Sequence, residues 1–160
     1  VHSPPQLYLD TSVIGGYFDA EFQEETRKLW CQRDSGFWEF VTSVLVAEEL
    51  EPAPPKVREL FAKTFAVNGK RLESSLAVVS LAEAYLAAGV LSEKFRDDAR
   101  HVALCSYHHL DYLVSWNFKH LANARRSSGF NEVNALQGFP AIRIVSPNEL
   151  IHEHPSEKRV

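Results

Sequence analysis

Apolar runs alternate along the chain with stretches whose apolar positions recur at helical spacing. Leu7-Tyr8-Leu9 ends in Asp10, then Thr11-Ser12, Val13-Ile14 and Gly15-Gly16, which predicts a buried strand delivering an acid to its C-terminal tip. Asp19–Arg33 sets Phe22, Leu29 and Trp30 among charges and predicts an amphipathic helix closed by Ser35-Gly36. Phe37–Ser43, aromatic and β-branched, predicts a second strand. A helix begins at Ser43 and carries Val44, Leu45, Val46, Ala47 and Leu50 around Glu48 and Glu49, until Pro52, Pro54 and Pro55 break it. Val57, Leu60, Phe61 and Phe65 predict a helix over Lys56–Phe65, with Asn68-Gly69 as a C-cap signal.

Leu76–Val79 fits a short strand, and Ser80 with Glu83 forms a capping box for a helix over Leu81–Ala88, stopped by Gly89. Ser92–Arg96 predicts a helical turn leading into a helix over Asp97–His109, where Ala99, Val102, Ala103 and Ser106 or Tyr107 make a face of mostly small residues suited to close packing on a sheet. Asp111–Ser115 predicts a strand ending at Trp116-Asn117-Phe118, followed by a helical turn over Phe118–Ala124 and a helix over Ser128–Leu136 that stops near Gly138. Ala141–Val145 predicts the last strand, Pro147 opens a final helix, and the tail from His152 is polar and expected to be loose. Strands alternating with helices imply a parallel sheet covered on both faces, within one domain spanning residues 1–160 and a core over about 7–150.

Composition adds boundaries. A chain of 160 residues, 45% hydrophobic and 24% charged, is long enough to bury a core without cross-links. Cys31 and Cys105 form no C-x-x-C pair, so a structural zinc site or a secreted disulfide framework is not expected. Val1-His2-Ser3-Pro4-Pro5 lacks the charged-then-apolar order of a signal peptide and no run has transmembrane length, so the expectation is a cytoplasmic protein with no membrane role. The net charge of -4 argues against a protein that coats nucleic acid through bulk charge, but a carboxylate-rich nuclease site would itself make a chain acidic.

Four places of chemical interest share one location type. Asp10 ends the first strand, Glu48 or Glu49 lies in the helix after the second, Asp98 opens the helix before the penultimate strand, and Asn117 ends that strand. Each has a plain alternative: Asp10 and Asp98 as helix-terminal acids, Glu48 and Glu49 as a solvated face, Asn117 as a turn residue. Their joint placement is what the plain readings do not predict. Carboxylates brought to one sheet edge repel unless a divalent cation sits among them, and Mg2+ favours a few carboxylates, waters and substrate phosphates. That apparatus suits metal-assisted phosphodiester hydrolysis. His101, His108 and His109 contain no i, i+4 pair, which disfavours a helical zinc site. Lys119, His120, Arg125 and Arg126 follow Asn117 and fit either of two readings, contacts to nucleic-acid phosphates with Trp116 or Phe118 as a stacking surface, or a solvated basic loop beside core aromatics.

The order Leu9-Asp10-Thr11-Ser12-Val13, Ser43 followed by Glu49-Leu50, Asp98-Ala99-Arg100-His101-Val102-Ala103 and Tyr112-Leu113-Val114-Ser115-Trp116-Asn117-Phe118 resembles a PIN domain, most similar to the bacterial toxin-type (VapC-like) members, from about Leu7 to Leu150. The resemblance implies a three-layer α/β/α sandwich around a parallel sheet and a Mg2+- or Mn2+-dependent ribonuclease acting on single-stranded RNA. Asp10, Glu49 and Asp98 match the acidic, metal-holding positions, Glu48 is the fallback for the second, and Ser12 matches a supporting hydroxyl. Many such nucleases place Asp where Asn117 stands, which implies weaker metal binding or dependence on substrate phosphate. Toxin-type relatives pair with an antitoxin and form homodimers, so both partners are implied. A catalytically idle module binding RNA or protein is the rival reading. A phosphatase with Asp10 as nucleophile is a further one, disfavoured because Ser12 stands where the haloacid dehalogenase pattern wants a second Asp.

Overall fold

The computed structural model describes residues 3–66 and 71–153. Five strands, β1 (Gln6–Leu9), β2 (Glu39–Ser43), β3 (Arg71–Leu72), β4 (Tyr112–Val114) and β5 (Arg143–Val145), form one all-parallel sheet in the order β3-β2-β1-β4-β5. Leu7, Tyr8 and Leu9 are fully buried, as a central strand covered on both faces must be. The helices are α1 (Thr11–Gly16), α2 (Gln23–Asp34), α3 (Val44–Glu49), α4 (Pro55–Phe65), α5 (Leu76–Ala87), α6 (Arg96–Tyr107), α7 (Ala124–Gln137) and α8 (Pro147–Glu153). A three-residue 3-10 turn, Glu93–Phe95, precedes α6.

The chain steps outward from β1 through β2 to β3, then returns to the other side of β1 for β4 and β5. Parallel crossovers keep one hand, so reversing direction moves the helices to the opposite face. Accordingly α2 packs on α1 and α8, and α1 packs on α4, while α5 packs on α6 and α7. The result is the three-layer α/β/α arrangement expected of the PIN-like fold class. The reversal also makes the boundary between β1 and β4 the topological switch point, where the carboxyl ends of neighbouring strands open a crevice. On α6, Ala99, Val102, Ala103 and Ser106 are buried and Tyr107 is the exposed alternative.

Several local expectations are corrected. Leu76–Val79 is the first turn of α5: Ser75 Oγ caps it by accepting from Val78 N, and the buried positions Val78, Leu81, Ala82 and Tyr85 follow helical spacing. Ser80 is therefore inside the helix, and the capping box is not used. Phe118–Ala124 is a run of turns, closed by the Asn123 amide donating to the Phe118 and Lys119 carbonyls. Asn123 then caps α7, which starts at Ala124 ahead of the predicted Ser128. The pairing of Arg71 and Leu72 with Thr42 and Ser43 is too short to leave an alternating pattern. Asn68-Gly69 and most of the polar tail lie outside the described residues. No helix among the described residues is long and apolar enough to cross a membrane.

Behind the switch point, α1 and the β4 loop meet without slack. A Cβ on Gly16 would lie 2.8 Å from the Trp116 ring and 3.1 Å from Thr26 Oγ1. The indole cannot retreat, because it stacks on Phe22 at 4.3 Å and its Nε1 donates to Thr26 Oγ1 at 2.9 Å. Gly15, by contrast, has no side-chain neighbour within 4 Å. Gly16→Val is expected to cost about 1–3 kcal/mol through overpacking, whereas Gly15→Ala is expected to be neutral or to add a few tenths of a kcal/mol through helix propensity. Denaturant titration followed by tryptophan fluorescence checks both, and equal stability of the two variants would refute the contact.

Candidate functional site

The C-terminal ends of β1 and β4 are neighbours, and each hands its last side chains to one crevice. Asp10, only 5% exposed, stands at the end of β1, where its carboxylate caps α1 by accepting from Val13 N at 3.2 Å. Capping and site placement are therefore one arrangement rather than rival ones. Ser12 Oγ donates to Asp10 Oδ1 at 2.6 Å and accepts from Trp116 N at 2.9 Å, fastening the acid to the β4 loop. Burial pushes the Asp10 carboxyl up, opposed by the charge of His101 and by hydrogen bonds from Ser115, Ser12 and Val13.

Asp98 lies in the first turn of α6, and its carboxyl is pushed up to about 6, by burial first and then by the charges of Asp10, Glu49 and Asp97, against the pull of His101. Its Oδ2 meets Asn117 Nδ2 at 3.5 Å and His120 Nδ1 at 3.7 Å. Asn117 Oδ1 accepts from His120 N at 3.0 Å, which fixes the amide so that its NH2 end faces Asp98. Asn117 N in turn donates to Ser115 Oγ at 2.9 Å.

Glu48 and Glu49 separate cleanly, since one helical residue turns the side chain by about 100°. Glu48 is exposed and lines a different cavity, with Val44, Leu45 and Arg100. Glu49 is half-buried; its Oε1 accepts from Thr11 Oγ1 and lies 2.9 Å from His101 Nε2. Burial raises Glu49, but the hydrogen bond and charge of His101, with the Thr11 hydroxyl, outweigh it and leave the carboxyl below its ordinary value. His101 is buried, as packing predicts, yet its ring joins the acids: burial disfavours its charge, while Glu49, Asp10 and Asp98 together raise its pKa. Sequence reading passed over Thr11, Tyr8, Ser115 and the polar role of His101. The i, i+2 alternation that puts Tyr8 and Asp10 on the same side of β1 was the available signal.

Among the described residues, no group of three or more His, Cys, Asp or Glu side chains is arranged to hold a metal ion. Asp10, Asp98 and Glu49 nevertheless feel one another's charge, and the donors are hard oxygens suited to Mg2+ or Mn2+. Mg2+ uses one or two carboxylates and completes its shell with water and substrate phosphate, so the donor chemistry fits such an ion without requiring a preformed cage.

Of the proposed stacking surfaces, Trp116 is buried against Phe22, while Phe118 is 49% exposed. Arg126 is tied to the Val90 carbonyl, leaving Lys119 and Arg125 as the more available cations of that loop. No protein-family model matches the chain, and no curated protein matches it in sequence.

The raised Asp98 carboxyl makes stability depend on pH. The folded state keeps its proton up to about pH 6, whereas the unfolded chain releases it near the ordinary value of 3.8, so wild-type stability falls as pH rises between the two. Asp98→Asn removes that penalty. In metal-free buffer the variant is expected to be more stable by on the order of 1 kcal/mol above pH 7, after allowance for solvent screening, with the gain shrinking towards pH 5. Thermal melts across that range check it, and a gain that grows on acidification would contradict the assignment.

Proposed function

We propose that the chain is a PIN-like module that binds single-stranded RNA across the carboxyl edge of its sheet and cleaves it weakly, as a Mg2+- or Mn2+-dependent endoribonuclease. The supporting observation is how the side chains are committed. Glu49 Oε1 is taken by Thr11 and His101, and the position of a fourth acid is filled by Asn117, whose NH2 faces Asp98. Asp10 commits Oδ1 to Ser12 and Val13 in the same way, so the three acids offer only part of their oxygens, enough for an ion shared with an RNA phosphate and too few for a tight site without one.

Each residue then has a defined task. Asp10, held by Ser12 and Val13, and Asp98, held by Asn117, would hold the ion, with Glu49 presenting its second oxygen. The ion supplies charge neutralisation at phosphorus and a lowered water pKa. Lys119 and Arg125 would meet flanking phosphates, and Phe118 offers a ring face to an unpaired base.

A second reading, the toxin of a type II toxin-antitoxin pair, is favoured by one surface. Val44 and Val79 line a cavity of about 460 Å3 between α3, α5 and α6, and the neighbouring Leu76 is 89% exposed. Apolar surface of this kind suits a protein partner, such as an antitoxin or a second copy in a homodimer.

Single-stranded RNA incubated with Mn2+ tests the enzyme. Slow cleavage is expected, abolished by chelation and by Asp10→Asn, while Asp10→Asn keeps RNA binding; Asn117→Asp is expected to bind Mn2+ more tightly in calorimetric titration. Cleavage that survives Asp10→Asn removes the mechanism. Absence of RNA binding by the wild type removes the function.

A further inference from the structure

Behind Glu49, a row of buried groups has every proton direction determined when the His101 ring is in its neutral form. Ser43 Oγ lies 2.7 Å from the Tyr8 hydroxyl oxygen, and its other partner is the backbone N–H of Val46 at 3.1 Å. That N–H can only donate, so among the described residues the proton of the fully buried Ser43 hydroxyl has one acceptor, the Tyr8 oxygen. Tyr8 then donates onward to His101 Nδ1, 2.6 Å away. A ring whose Nδ1 accepts carries its proton on Nε2, the atom that faces Glu49 Oε1 at 2.9 Å. Each hydroxyl polarises the next, so the row is cooperative in one sense only. Reversing it would strand the Ser43 proton without an acceptor in the core.

We propose that Tyr8 and Ser43 are positioning residues: their hydroxyls select the Nε2–H tautomer of His101, which clamps Glu49 through Oε1 and leaves Oε2 as the oxygen presented to Asp10 and Asp98. Thr11 donates to the same Oε1 and completes its occupancy. The opposite tautomer would set a bare nitrogen lone pair against the carboxylate and release the side chain. Tyr8 thus governs the rotamer of an acid on another element without approaching the substrate. This inference rests on the assignment of Glu49 to the proposed site, but the tautomer itself does not depend on metal or RNA.

Nitrogen-15 NMR of the histidine rings in metal-free buffer, followed with rising pH to the alkaline plateau of the His101 signals where the ring is neutral, reads the tautomer directly. The expected wild-type signature for His101 is a protonated Nε2 and a bare Nδ1. In Tyr8→Phe the Nδ1 lone pair loses its donor, so its nitrogen-15 shift is expected to move and the ring to lose its fixed orientation, and Mn2+ affinity to fall by roughly tenfold, the usual consequence of removing a group that orients a ligand. His101→Gln in the Tyr8→Phe background is expected to recover that affinity, because a glutamine amide offers its N–H to Glu49 whatever stands at position 8. A wild-type Nδ1–H tautomer, an unchanged ring spectrum in Tyr8→Phe, or no recovery in the double variant would overturn the proposal. Where Tyr8→Phe does not fold, the wild-type spectrum decides alone. Failure of the wild type to bind Mn2+ or RNA would remove the proposed function while leaving the tautomer assignment intact.

Discussion

A carboxylate buried at the end of the central strand is the constraint to which the rest of the molecule answers. Asp10 is almost wholly withdrawn from water, and an unpaired charge there would be costly. The chain meets that cost locally, with Ser12 and the Val13 amide in the first turn of α1, and at long range, with the β4 loop and His101. Parallel pairing of β1 with both β2 and β4 puts these contributors within reach. The sheet order is thus also the wiring of the site.

Satisfaction is incomplete. Asp98 shares the field of Asp10 and Glu49, and the single buried imidazole does not cancel three acids. Residual repulsion of this kind lowers folding stability, and it is the feature that a cation would relieve under the proposed function. Asn117 moderates it: an amide turned to donate to Asp98 relieves repulsion where another carboxylate would add to it.

The strands β1, β2, β4 and β5 were legible because buried parallel strands read as apolar runs, and α6 because its small residues fall on one face. Asp10 and Asn117 could be placed in the fold because each follows a strand, and Asp98 because it lies in the first turn of the helix before β4. What the sequence did not show turned on one local cap and on tertiary contacts. Leu76–Val79 has strand-like composition, but one hydroxyl at Ser75 turns it into a helix. Glu48 and Glu49 are indistinguishable in sequence and are separated only by a rotation that brings one of them to Thr11 and His101. His101 looked like core because it is core, and its hydrogen bonds come from residues distant in sequence.

The order of the strands also sets when the site can exist. During synthesis Asp10 and Glu49 emerge early, but β4 must lodge beside β1, across about a hundred residues of intervening chain, before the Asn117 loop faces Asp98. Such distant pairing forms late, after the nearer helices and strands have collapsed. An emerging polypeptide therefore carries separated acids and no assembled site until its last third has docked.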